Sequence, residues 1–236
     1  MINPDSRISV GIPVYKAERY VGEAIRSVLD QDVDIKELVV VIDASPDNSA
    51  EAARKFEAEG VVVLEREQNG GISAARNTAL KEFSGDFIAF LDADDVWPEG
   101  RLRALLDAVE NDDEVDMAFG MVEQFLCPQI DAERAATLKV PDEIVPATVA
   151  SGLLATSDVY AKAGVYDENL RVSEFIDWFS RAKDAGFKHK VIPDLVLRRR
   201  IHGDNFSLSN KADTSGYALA LKRAIDRRRQ ASSKES

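Results

Sequence analysis

The stretch "FIAFLDADDVW", Phe87 to Trp97, sets five apolar residues against three carboxylates within four positions. An uncharged run such as FIAFL reads as a strand buried on both faces. The acids follow where that strand must stop. In an open parallel sheet, ligands bind beyond the carboxyl ends of the strands, which is where Asp92, Asp94 and Asp95 then fall. Carboxylates this close raise one another's proton affinity unless they share a cation. Oxygen donors favour Mg2+ or Mn2+, with phosphate oxygens completing the shell. Aspartates also cap helices, and Asp95 stands shortly before Pro98 and a helical pattern, so this turn alone leaves capping open.

Working outward, strand and helix signals alternate through the first 125 residues. "RISVGIPV" (Arg7 to Val14) alternates like a strand, and Val21, Ile25, Val28 and Leu29 recur at helical spacing. "ELVVVID" (Glu37 to Asp43) is a second strand. A helix follows it, with Asn48 as N-cap, Glu51 three residues on and Gly60 as its stop. "VVVL" (Val61 to Leu64) is a third strand and "GISAARNTALKEF" a third helix. After FIAFL comes "PEGRLRALLDAVEN", with Leu102, Leu105, Leu106 and Val109 on one face. Such β-α-β units predict an α/β fold, a Rossmann-like, mainly parallel sheet flanked by helices.

From Leu126 to Pro146 the periodicity fades into a connection with three prolines, a length that points to function or mobility. Beyond it the spacing predicts a helix from Glu174 to Gly186 and separate strands near "KHKVI" and "LVLRRRIH". The expected organisation is one domain over 1–215, with 1–125 as its first half and 126–215 covering it, followed by a basic C-terminal helix or tail over 216–236.

The chain has 236 residues and a formal net charge of -12, from 30 basic and 42 acidic residues. That balance argues against nucleic-acid binding, which needs a cationic surface. No apolar run approaches the ~18 residues of a membrane span, and Met1 to Arg7 is too short and polar for a signal peptide, so a cytoplasmic location is expected. The single cysteine, Cys127, has no partner for a disulfide or a cysteine metal site. The basic end "LKRAIDRRRQASSKES" reads as a solvated helix end and tail, with peripheral contact to an anionic membrane on the cytoplasmic face as the alternative.

"GIPVYKAERY", "VIDASPDNS" and "QNGGISAARNTAL" also fall at carboxyl ends of predicted strands, on the same edge as "DADD". Four polar or glycine-rich turns on one edge describe one cleft. Asp43 could accept from a nucleobase imide there, and Arg76 and Asn77 could add base or phosphate contacts. With "PVYK", "VIDASPDNS", "NGGISAARNTAL" and "FLDADD" in this order and spacing, the chain resembles the inverting family-two glycosyltransferases of the GT-A fold. Weaker matches at "GVYDENL" and "RRRIHGDN" extend the resemblance to about Asn210.

The resemblance implies transfer of a sugar from a nucleotide-diphosphate donor, a UDP-sugar foremost, to a hydroxyl of a glycan, lipid-linked or protein acceptor. It makes Asp43 the base contact, although Ile42 and Ala44 replace the aspartate and glycine that flank this position in relatives. It places Pro13, Val14, Tyr15, Asn69, Gly71, Arg76, Asp92 and Ala93 around the nucleotide-sugar. Asp94, with Asp95 and His202, becomes the Mn2+ or Mg2+ site. Relatives carry the catalytic aspartate where this chain has Phe175 in "SEFIDW". Glu174 ranks first as base and Asp177, three residues on and hence on the same helical face, second. The Phe175 substitution also admits a catalytically silent nucleotide-sugar binder. A sugar nucleotidyltransferase would favour a glycine-rich, lysine-bearing loop after the first strand, and a dehydrogenase G-x-G-x-x-G; neither is present.

Overall fold

The computed structural model describes residues 2, 5, 7–138, 140–203, 205 and 215–232. Residue 204 of "RRRIHGDN", the stretch 206–214 and the tail 233–236 lie outside them.

Four β-α steps and a fifth strand build the first half: β1 (Ile8–Val14), α1 (Val21–Leu29), β2 (Glu37–Ile42), α2 (Ser49–Arg54), β3 (Val62–Glu65), α3 (Gly71–Leu80), β4 (Phe87–Phe90), α4 (Arg101–Glu110) and β5 (Met117–Leu126). There follow α5 (Ala132–Thr137), β6 (Val145–Pro146), β7 (Leu153–Thr156), α6 (Ser157–Ala163), α7 (Glu174–Asp184), β8 (His189–Ile201) and α8 (Ser215–Ser232). One sheet contains all eight strands in the order β3-β2-β1-β4-β7-β5, with β6 and β8 also pairing β5. β7 runs antiparallel between β4 and β5, while β1 to β4 pair parallel.

Strand order reverses between β1 and β4, because β1 leads to β2 and β3 on one side while β4 lies on the other. That reversal opens a crevice at the strands' carboxyl ends. Pro13 helps to open it. β1 pairs β4 only as far as Gly11 opposite Phe90, and Leu91 donates to the Gly11 carbonyl. Alternation aims the Pro13 nitrogen at the same side, where the proline has no N–H to extend the ladder.

The β-branched runs of β1 and β2 separate two apolar layers. Val10, Ile12, Val40 and Ile42 pack with Ile25, Val28, Leu102 and Leu105 of α1 and α4. Val39, Val41 and Phe90 pack with Ala75 and Ala79 of α3 and with Tyr160, Tyr166, Phe175 and Trp178.

Several expectations are corrected. Asn48 makes no capping bond. Asp47 receives the Ser49 amide at 3.3 Å, while Asn48 donates to Glu18. The connection 126–146 is not featureless, since Asp131 caps α5 by accepting from the Arg134 amide. The two strands expected near "KHKVI" and "LVLRRRIH" are one, β8, whose register on β5 slips between Phe119 and Val122. A bulge absorbs the irregularity that reads as a break in the sequence.

Candidate active site at the carboxyl edge

The turn after β4 is closed by the Asp95 amide, which donates to the Asp92 carbonyl at 3.0 Å. Asp92 and Asp94 are half-buried, whereas Ala93 and Asp95 point inward, Asp95 being 5% exposed. Asp95 therefore does not stand beside Asp94 as a second open ligand. Its Oδ1 accepts from the Arg200 amide at 3.0 Å, tying β8 to the turn. Burial, and then the charges of Asp94 and Asp92, push its carboxyl well above the usual carboxylate range.

Asp94 and His202 do come together. His202 Nε2 lies 3.0 Å from Asp94 Oδ2, and Asn205 donates to the same oxygen at 3.2 Å. His202 also stacks on Tyr20, with ring centroids 4.9 Å apart. Burial, with Cys127 beside it, pushes the Tyr20 hydroxyl up to about 12, so the ring beneath the imidazole is a neutral phenol. A carboxylate and an imidazole at this separation form a hard and borderline donor set, which fits a divalent cation that keeps other positions for phosphate oxygens. Among the described residues, no group of three His, Cys, Asp or Glu side chains converges in this way.

Arg76 lies at the centre of the site rather than on its surface. Its side chain is 3% exposed, and it donates from Nη2 to Asp92 Oδ1 at 2.8 Å and from Nη1 to Glu174 Oε1 at 2.9 Å. Burial alone would lower the guanidinium, but the charges of Asp92 and Glu174 outweigh it and hold it above its ordinary value. One cation thus joins the turn after β4 to the first residue of α7. Asn77, next in sequence, does not reach a ligand position, because it clamps the loop carrying Tyr166 and Glu168.

Asp43 is also buried. Its Oδ1 accepts from Arg66 Nε at 2.8 Å and from the Gly70 amide at 3.0 Å, and its Oδ2 accepts from the Gly71 amide at 2.7 Å. Asn69 donates to its carbonyl at 2.9 Å. The carboxylate thus fastens the amino end of α3 beside β2, where an anion is favoured by the helix dipole. Ala44 takes φ 50°, in the left-handed region that favours glycine. Pro13 and Val14 are buried in β1, and Tyr15 is exposed beside Lys16.

At the opposite wall, Glu174 opens α7 behind Ser173, which takes φ 68°. Phe175 is buried and packs on Phe119, Trp178 and Phe179. Asp177 does not join Glu174. It is 3% exposed, and its two oxygens accept from Arg181 Nε at 2.9 Å and Arg227 Nη1 at 3.1 Å. Sequence reasoning missed Arg66, Ser151 and Asn205. Ser151 accepts from the Asp92 amide at 3.1 Å and belongs to no recognisable motif, whereas Asn205 closes "RRRIHGDN", a signal that could have found it.

Residues 9–130 match the family model described as glycosyl transferase family 2. The chain belongs to that family. As a family-two glycosyltransferase it is 27% identical over 235 residues to TuaG of Bacillus subtilis, a putative teichuronic acid biosynthesis glycosyltransferase, covering 96% of this chain and 91% of TuaG. Over 99 residues it is 42% identical to WfgD of Escherichia coli, a UDP-Glc:alpha-D-GlcNAc-diphosphoundecaprenol beta-1,3-glucosyltransferase, but this covers only 42% of the chain and 39% of WfgD. The GT-A fold is shared with the mannosyltransferase PcManGT of Pyrobaculum calidifontis, solved with GDP-Man and Mn2+, at a TM-score of 0.69 and 18% identity, covering 96% of this chain and 66% of that one.

Proposed function

We propose that this glycosyltransferase is metal-dependent and inverting, and moves a sugar from a UDP-sugar to an acceptor hydroxyl in the synthesis of a cell-surface polysaccharide. The observation that carries this reading is the triad Asp92, Arg76 and Glu174, placed beside the Asp94 and His202 pair at the switch point of the sheet. TuaG supports the polysaccharide class, and WfgD supports a UDP-linked donor and a lipid-linked acceptor.

In this reading the first half of the chain holds the donor and the second half presents the acceptor. Asp94 and His202 would hold Mn2+ in preference to Mg2+, because an imidazole donor suits the softer ion. When bound, the ion would supply charge neutralisation at the leaving diphosphate. Asp92 fixes the ribose or the donor sugar, and Arg76 holds the Asp92 carboxylate in place. Asp43 orders the Asn69 to Gly71 turn around the base, with Pro13, Val14 and Tyr15 forming the wall on the β1 side. Glu174 uses Oε2, the oxygen not bonded to Arg76, to take the acceptor's proton as the hydroxyl displaces the nucleotide with inversion. Asp95 and Asp177 support the fold.

Among the described residues no helix is long and apolar enough to cross a membrane. A lipid-linked acceptor would bring the enzyme to the cytoplasmic face of one. On α8, Arg223 pairs with Asp167, Arg227 with Asp177 and Asp184, and Arg228 with Asp184. Much of the basic cluster thus faces the protein's own acids.

A second reading, a donor-binding relative without transfer, is favoured by the burial of Phe175 in the aromatic core. Incubation with UDP-sugars, Mn2+ and undecaprenyl-diphosphate-linked sugars separates the two. Release of UDP with a lengthened glycan supports transfer. Binding of UDP with neither product supports the silent reading.

A further inference from the structure

We propose that Arg101 and Ser151 are positioning residues that hold the Asp92 backbone in its donor-binding place. The inference rests on the donor role given to Asp92 above. Arg101 opens α4 and is 1% exposed, yet no carboxylate is bonded to it among the described residues. Its guanidinium stacks on Trp97 at 3.7 Å from the ring centroid, and Nε and Nη1 have no partner among the described residues. Burial pushes its proton affinity down. An apolar side chain of similar volume would serve packing better than an unpaired buried cation.

What Arg101 does bond is a turn. Nη2 donates to the Ser151 carbonyl at 3.0 Å and to the Leu153 carbonyl at 3.1 Å, pinning the Ala150–Gly152 helical turn at the entrance to β7. Ser151 is 1% exposed, and its Oγ accepts from the Asp92 amide. The turn has no slack. A Cβ on Gly152 would stand 2.2 Å from the Ala147 carbonyl oxygen.

Asp92 is therefore clamped twice, at its amide through Ser151 and Arg101 and at its carboxylate by Arg76. Asp94, two residues on, takes its position from the same backbone. The support comes from α4 and the Ala150–Gly152 turn, neither of which carries a donor-binding motif.

Calorimetric titration with UDP and Mn2+, paired with thermal unfolding, tests this on the full chain. Ser151→Ala removes one hydroxyl and should weaken UDP at least tenfold with the melting temperature nearly unchanged. Arg101→Met should weaken UDP as much while the melting temperature holds or rises, and Arg101→Lys, which keeps a donor for the carbonyls, should recover part of the loss. Wild-type affinity in folded Ser151→Ala or Arg101→Met overturns the proposal. Loss of folding in Arg101→Met overturns it for Arg101, which would then be structural. If the wild-type protein binds no UDP with Mn2+, the donor reading itself fails, an outcome distinct from equal binding by wild type and variants.

Discussion

The turn after β4 and helix α7 each carry three acids, Asp92, Asp94 and Asp95 in one and Glu174, Asp177 and Asp184 in the other, and they use them in different ways. In the turn, which the Asp95 amide closes onto the Asp92 carbonyl, Asp92 and Asp94 stay half-buried at the cleft while Asp95 goes inward to the Arg200 amide. In α7 the helical period takes over. Glu174 at the first position meets Arg76, while Asp177 and Asp184 meet Arg181, Arg227 and Arg228. Residue type is the same throughout. Burial and the number of partners each carboxylate already has separate the acids that keep an oxygen open from those committed to the fold, as Asp177 is by an arginine on each oxygen.

The sharpest way to break this contrast is at Asp94. Asp94→Ala should reduce metal-dependent UDP affinity by about 100-fold or more, because the donor set loses its carboxylate. Titration in the presence and absence of Mn2+ would reveal it, and an unchanged difference between the two would remove Asp94 from the site. Glu174→Gln should bind UDP normally and transfer about 10²-fold to 10³-fold more slowly, the range expected for a lost general base. Full turnover by that variant would move the base elsewhere.

Asp177→Ala belongs to the other class. It should leave residual transfer intact in the folded protein and cost roughly 2–3 kcal/mol in urea unfolding, less than a fully buried pair because the arginines can regain water. Acid should act in the same place. Partial burial raises Asp184, but hydrogen bonds from Arg228 and Arg227 lower it further, and Asp167 is held down by the Asn169 amide and by Arg223. A carboxylate depressed in the folded state adds stability that is complete above its ordinary value of 3.8 and is lost as pH falls through the folded value. Hydrogen exchange in α8 should therefore quicken below about pH 4 while β1 and β2 stay protected. The smallest effect expected is a gain of about 0.5 kcal/mol in Ala44→Gly, where relief of the left-handed backbone slightly exceeds the added chain entropy.

Much of the first half was legible because its signals are local. Apolar runs mark β1, β2 and β4, and four polar turns on one edge mark the cleft. Arg66, Ser151 and Arg101 were not legible, since their roles depend on contacts 23 to 59 residues apart in the chain. Keeping Asp177 as the second candidate base after Glu174 relied on their spacing. Spacing places both on the same side of a helix but says nothing of α8, whose Arg227 bonds to Asp177 from 50 residues away. Likewise "DADD" shows three acids but not the Arg200 amide, 105 residues away, that takes Asp95 inward.

The single guanidinium of Arg76 would couple donor and acceptor if Asp92 and Glu174 have the roles proposed for them. It bonds Asp92 in the turn after β4 and Glu174 at the start of α7. A donor that draws on Asp92 must alter the balance of that shared cation, and with it the readiness of Glu174 to receive a hydroxyl. By linkage, an acceptor at Glu174 must act back on donor affinity to the same extent. Donor titrated with and without acceptor should then change in affinity by the same factor as acceptor titrated with and without donor.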